Sequence, residues 1–147
     1  MNNDRRLEIF GILLISVSTF VIISLLGYNS YEEPQISPNI KIENPMGIFG
    51  VYSSHILIKL GFGYISFLLP FVGMIWGWHI FSKKNLEKLF RITKFILILI
   101  ILVSFTTGAI ENILYGDDKN YLVSGLIGGN LAELFISFFS FYGTIIF

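Results

Sequence analysis

The 147 residues contain no cysteine, which excludes a disulfide-stapled secreted module and any thiolate metal site. Charge is scarce: Asp, Glu, Lys and Arg make up 14% of the chain, against about 25% in soluble domains. Ten basic residues balance ten acidic ones, so the basic surplus of a nucleic-acid-binding surface is missing. There is no Gly-x-x-x-x-Gly-Lys-Ser/Thr loop to cradle phosphates, and no nucleophile with a base or paired-carboxylate pattern. What is abundant is apolar: 54% of residues, with a mean hydropathy of +0.73. These residues gather into charge-free runs over Ile9 to Tyr31, Leu60 to Ser82 and Phe95 to Ile110. Such runs describe a membrane protein and exclude a soluble enzyme.

A hydrocarbon core of about 30 Å needs roughly 20 helical residues. Leu7 to Leu26 meets that as a first span, and Gly27-Tyr28-Asn29 offers no small-residue cleavage pattern, so it reads as an uncleaved anchor. Leu60 to Phe81 forms the second, with Pro70 expected to kink it and Trp76 and Trp78 near its interfacial end. Ile92 to Ile110 forms the third, with the Lys94 stem lying along the helix. The fourth apolar segment runs from Tyr121 to Phe147 and is interrupted by Glu133.

Threaded this way, the charges separate by side. Arg5, Arg6, Lys83, Lys84, Lys88, Arg91 and Lys94 fall on one side, while the loops on the other carry Glu32, Glu33, Glu43, Glu111, Asp117 and Asp118 against Lys41 and Lys119. The positive-inside rule then places the N-terminus in the cytoplasm. Arg5, Arg6, Lys83, Lys84, Lys88 and Arg91 are topology determinants that can also touch anionic headgroups, at about 1 kcal/mol per charge.

A shift of 78 positions aligns Gly47-Ile48-Phe49-Gly50 with Gly125-Leu126-Ile127-Gly128, His55 with Glu133, Ile58 with Ile136 and Tyr64 with Tyr142. The repeat implies short amphipathic lead-in segments before spans two and four, the first being Ile48 to Lys59 and the second Gly125 to Glu133. A fourth span starting near Leu134 then has 14 residues, about 21 Å of helix, too short to cross. On this favoured reading the chain ends inside its last helix and belongs to a longer protein. The alternative runs span four from Leu126 to Phe147 with Glu133 in the bilayer, where a carboxylate costs about 2.5–3.5 kcal/mol and marks function.

Other residues have ordinary readings beside sharper ones. Gly73 and Gly77 form a Gly-x-x-x-Gly that suits either packing within the chain or an oligomer contact. His55 with Lys59 reads as a solvated face, His79 as an interfacial residue beside Trp78, and Glu133 as an interfacial carboxylate. The two histidines fall on opposite sides, so they share no metal site. Glu111 with Asn112 serves to end the third span.

Three pieces occur in a telling order: Leu7-Glu8-Ile9-Phe10-Gly11-Ile12-Leu13-Leu14; then Asn44-Pro45-Met46-Gly47-Ile48-Phe49-Gly50-Val51, running on to Gly61, Phe67-Leu68-Leu69-Pro70-Phe71 and Trp76-Gly77-Trp78; then Ser124-Gly125-Leu126-Ile127-Gly128-Gly129. Together they resemble the N-terminal four-helix membrane domain of the FtsK/SpoIIIE family of bacterial DNA translocases. Val51 stands where the family has a small Ala, and the third loop is divergent. The resemblance implies an all-α, integral-membrane four-helix bundle in the bacterial cell membrane at the division septum. It implies an anchor and interaction module with no catalytic, cofactor-binding or metal site of its own. The partners implied are the lipid bilayer, further copies in a hexamer, divisome membrane proteins, and DNA only through a cytoplasmic ATPase motor that uses ATP and Mg. A reading from a different class is a small four-helix transporter or channel subunit with Glu133 as its coupling group.

Overall fold

The computed structural model describes residues 3–32, 41–116 and 120–146, with side chains as far as Phe139. The regular structure among the described residues is helical, with no strand among them. Among the described residues there are five α-helices: α1 Asn3–Leu26, α2 Gly47–Ser54, α3 Leu68–Phe81, α4 Glu87–Tyr115 and α5 Gly125–Ile146. A 3-10 turn, Ser30–Glu32, follows α1, and a π-type turn (His55–Phe62) and a 3-10 turn (Gly63–Phe67) link α2 to α3.

The side chains are arranged inside out relative to a soluble protein. Fully buried side chains include Ser24, Ser54, Ser66, Ser104 and Ser124 with Ile58, Ile100 and Ala132, while Phe10, Ile98 and Phe138 stand exposed. Hydrocarbon solvates the large apolar side chains, and helices instead approach through small residues. Asp4–Leu26, Gly47–Phe81 and Glu87–Tyr115 are each long and apolar enough to cross a bilayer. The 22 residues of α5 make about 33 Å of helix.

The chain forms two compact units. The first holds residues 1–55 and 67–97. In it α1 and α3 pack antiparallel: Gly11 lies against the Gly77 carbonyl and Phe81, Ile15 against Gly77, and Ser18 against Gly73. The Trp76 indole N–H donates to Thr93 Oγ1 at 2.8 Å and its ring meets Phe90 edge-on at 4.6 Å, which fastens α3 to the start of α4. The second unit holds residues 56–66 and 98–147. There α4 and α5 meet where Ser104 faces Gly128 and Gly108 faces Gly128 and Gly129.

Three features differ from the sequence expectation. Pro70 does not kink a span, because it is the third residue of α3, where its missing N–H would have no intrahelical partner anyway. Regular α-helix in the second apolar body begins at Leu68 rather than Leu60, because Gly61 departs from helical dihedrals (φ −87°, ψ −123°) and Gly63 is left-handed at φ +73°. Gly125 to Glu133 is not a segment set apart from the last span; it forms the first turns of the unbroken α5.

The end of α3 departs from the usual glycine rule. Lys84 N–H donates to His79 O at 3.0 Å and Lys83 N–H to Ile80 O at 3.2 Å, the bond pair of a Schellman cap. Its left-handed position, normally glycine, is held by Lys83 at φ +53°.

Candidate functional site: polar clamps at the helix ends

The last carbonyls of α1 lack helical donors, and Asn44 supplies them. Its Nδ2 donates to Ser24 O and Gly27 O, each at 3.0 Å. Its Oδ1 accepts the Met46 N–H at 3.0 Å, an Asx-type turn that leads into Gly47 at φ +61° and so into α2. Glu32, buried in the 3-10 turn after α1, accepts the backbone N–H of Glu43 at 3.0 Å and of Asn44 at 3.3 Å, one on each carboxylate oxygen. A buried carboxylate is tolerable when donors meet it in this way. The cleft beside it is lined by Tyr28, Glu32, Asn44, Ser54 and His55. His55 is buried, not part of a solvated face, and its Nδ1 has no hydrogen-bond partner.

A second clamp lies in the other unit. Glu111 Oε2 accepts the Ser124 hydroxyl proton, and Oε1 accepts the Val123 N–H at 3.4 Å. Ser104 Oγ donates to Ser124 O at 2.5 Å. Gly125, at φ +69°, then starts α5 with its backbone pressed on that of Gly61 and Gly63. Tyr121 donates its hydroxyl to Glu133 at 3.3 Å, and the Lys59 ammonium donates to Asn120 Oδ1 at 2.9 Å. Glu111 thus does more than end a span: α4 continues to Tyr115, and the carboxylate holds the start of the next helix.

The two clamps match at the repeated positions. Gly47 and Gly125 are both left-handed, Gly50 and Gly128 both abut a polar side chain of the clamp (Asn44 and Ser104), and Ser54 and Ala132 are both buried. In each unit a carboxylate accepts backbone N–H within four residues of the left-handed glycine, from Glu43 and Asn44 in the first and from Val123 in the second. The match ends at His55 and Glu133, since the first is buried and the second exposed.

The remaining sequence-predicted residues occupy definite places. Gly73 and Gly77 both face α1, with a β-carbon on Gly77 falling 2.8 Å from the Gly11 carbonyl oxygen. Lys83 pairs with Glu8 at 3.1 Å and Asp4 at 3.6 Å, and the hydrogen bond to Glu8 with the two carboxylate charges raises its pKa above 10.5. Antiparallel packing brings this turn beside the start of α1, so Arg5, Arg6, Lys83 and Lys84 collect at one end of the unit, exposed. Lys88 and Arg91 follow, exposed, in the opening turns of α4. Sequence reasoning missed Asn44 and Glu32 as clamp residues, and the small residues Gly11, Ser18, Ser104 and Gly108 at the helix contacts. Gly11 and Asn44 stood in the family-like pieces with no role assigned to them, and the Ser104-x-x-x-Gly108 spacing was the further signal.

Among the described residues no group of three or more His, Asp or Glu side chains could hold a metal ion. The carboxylates of both clamps are occupied by donors, so the arrangement fastens helices together. A family model, the 4TM region of DNA translocase FtsK/SpoIIIE, matches residues 3–147. No curated protein and no solved structure matches the chain. With nearly its whole length matched, this membrane-embedded chain belongs to the FtsK/SpoIIIE four-transmembrane-region family.

Proposed function

We propose that this domain anchors a DNA-pumping ATPase to the bacterial cell membrane at the division septum and assembles there with further copies of itself, as a hexamer, and with divisome membrane proteins. The observation that carries the reading is the family match over residues 3–147. Within the chain, the gathering of Arg5, Arg6, Lys83 and Lys84 at one end of the α1–α3 pair supports a cytoplasmic N-terminus, because basic residues resist translocation. ATP, Mg and DNA belong to the motor and not to these residues. The alternative reading as a transporter gains no support, since Glu133 is exposed and accepts a hydrogen bond from Tyr121 instead of standing buried along a pathway.

The test is a fluorescent protein fused after Phe147 and expressed in dividing bacteria, with alkaline phosphatase reporters at Asn85 and Asp118. Septal fluorescence, an inactive reporter at Asn85 and an active one at Asp118 are expected. Uniform membrane fluorescence would refute the septal role, and reversed reporter activity would refute the orientation.

A further inference from the structure

We propose that the groove between α3 and the opening turns of α4 binds an anionic phospholipid, with one acyl chain along Val72, Ile75, Ile92 and Ile96, the phosphate on the Lys88 ammonium and the rest of the headgroup beside His79. The inference rests on the chain being membrane-embedded, and needs neither the septal location nor the motor.

The groove has a volume of about 280 Å³ and changes character along its length. Toward the middle of the helices its walls are aliphatic. At the end where α3 turns into α4 they become His79 and Lys88. This is the polarity pattern of a lipid, with a hydrocarbon tail and a charged head. The groove is not a slack gap, because the Trp76–Thr93 hydrogen bond and the Trp76–Phe90 ring contact hold its two helices together.

An empty trench would forfeit dispersion contacts along both walls, and no water reaches the bilayer core to fill it. An acyl chain fills it at no desolvation cost. A second protein helix laid there would have to cover the Lys88 ammonium, which is expensive away from water. The headgroup choice follows from charge. Lys84 and Arg91 flank Lys88, all exposed, while Asp4 and Glu8 are engaged by Lys83 and Glu87 is the one acid in the first turn of α4. His79 Nδ1–H donates to Ile75 O at 2.9 Å, so in the neutral ring Nε2 is an acceptor, suited to a headgroup hydroxyl, and the phosphate falls to the Lys88 ammonium. Basic pockets between helices at a membrane face are known receptors for anionic headgroups.

Tryptophan quenching tests the site, because the chain has only two tryptophans. A Trp78→Phe background leaves Trp76 as the reporter, in the full chain reconstituted into phosphatidylcholine vesicles. Brominated phosphatidylglycerol is expected to quench Trp76 with an apparent affinity about fivefold above that of brominated phosphatidylcholine. Lys88→Gln with His79→Gln should bring the ratio close to one, while Val72→Phe, which fills the groove and keeps every charge, should also abolish the preference. Flotation and far-UV circular dichroism confirm that each variant inserts folded. Equal quenching by the two lipids in the parent overturns the proposal. So does a preference that survives Val72→Phe, which would reflect surface attraction, and so does the absence of quenching by either lipid, which would mean that a second copy covers the groove.

Discussion

The Asn44 amide oxygen occupies the space that a β-carbon on Gly50 would need. The same side chain ties down the end of α1, so the glycine is what allows α2 to start against the clamp. Gly128 stands in the same relation to Ser104. These are demands for space alone, since both glycines have ordinary helical backbone. Gly50→Ala and Gly128→Ala should each destabilise the domain by about 1–3 kcal/mol, the cost of overpacking a close contact. SDS titration of the detergent-solubilised protein, followed by far-UV circular dichroism, measures it. Gly116→Ala is the control: with open space around it, only its left-handed backbone is strained.

Asn44 has a donor role and an acceptor role, and two substitutions separate them. Asn44→Asp keeps an oxygen for the Met46 N–H but removes both donations to α1 and brings a negative charge against its carbonyls. Asn44→Leu removes both roles. Because each buried polar group left unpaired costs about 1–3 kcal/mol, both variants should lose stability, and Asp should give no rescue over Leu. A stable Asn44→Asp protein would show that the bonds to Ser24 O and Gly27 O contribute little.

The parts of this fold that could be read from sequence are those written in spacing. The 78-residue offset pairs two left-handed glycines and two close-contact glycines because left-handed backbone favours glycine and the close contacts leave no room for a β-carbon. The apolar runs located three helices because bilayer thickness sets a length. The clamp was not legible. Asn44 acts on carbonyls 17 and 20 residues earlier, and a backbone carbonyl leaves no mark in the sequence of its own residue. His55 was misread for a related reason: its spacing from Lys59 gave an amphipathic face, but the π-type turn from His55 breaks the 3.6-residue period on which that reading depends. Gly61 and Gly63 did carry a signal for that break, and a single-helix reading of the apolar body passed over it.

Gly73 and Gly77 look equivalent in sequence and are not equivalent in space. A β-carbon on Gly77 meets the Gly11 carbonyl oxygen at 2.8 Å and the Ile15 backbone nitrogen at 3.0 Å, whereas one on Gly73 meets the Ser18 hydroxyl. A serine can change rotamer, but a helix backbone moves only with its helix. Gly77→Ala should therefore cost at least about 1 kcal/mol more than Gly73→Ala. Pairing Gly73→Ala with Ser18→Ala should return most of the smaller loss. Equal costs for the two glycines would mean that α1 and α3 do not meet through this face.

Lys83 keeps a left-handed backbone that glycine would adopt without strain, and its ammonium accounts for the choice by reaching Glu8 and Asp4. The hydrogen bond to Glu8, helped by the Asp4 and Glu8 charges, outweighs the opposing desolvation and raises its pKa above 10.5. A lysine whose folded pKa is raised stabilises the fold in full below the unfolded value, and that contribution disappears as pH rises through the folded value. The stability difference between the parent and Lys83→Gln should thus stay level from neutral pH up to about 10.5 and then close. Lys83→Gly loses the pairs but relieves the backbone, so it should be more stable than Lys83→Gln at every pH while sharing its missing alkaline transition. A salt titration at neutral pH adds an independent check. The pair is exposed and screening weakens it, so parent and Lys83→Gln should converge in high salt, whereas the gap between Lys83→Gly and Lys83→Gln, which comes from backbone geometry, should stay constant.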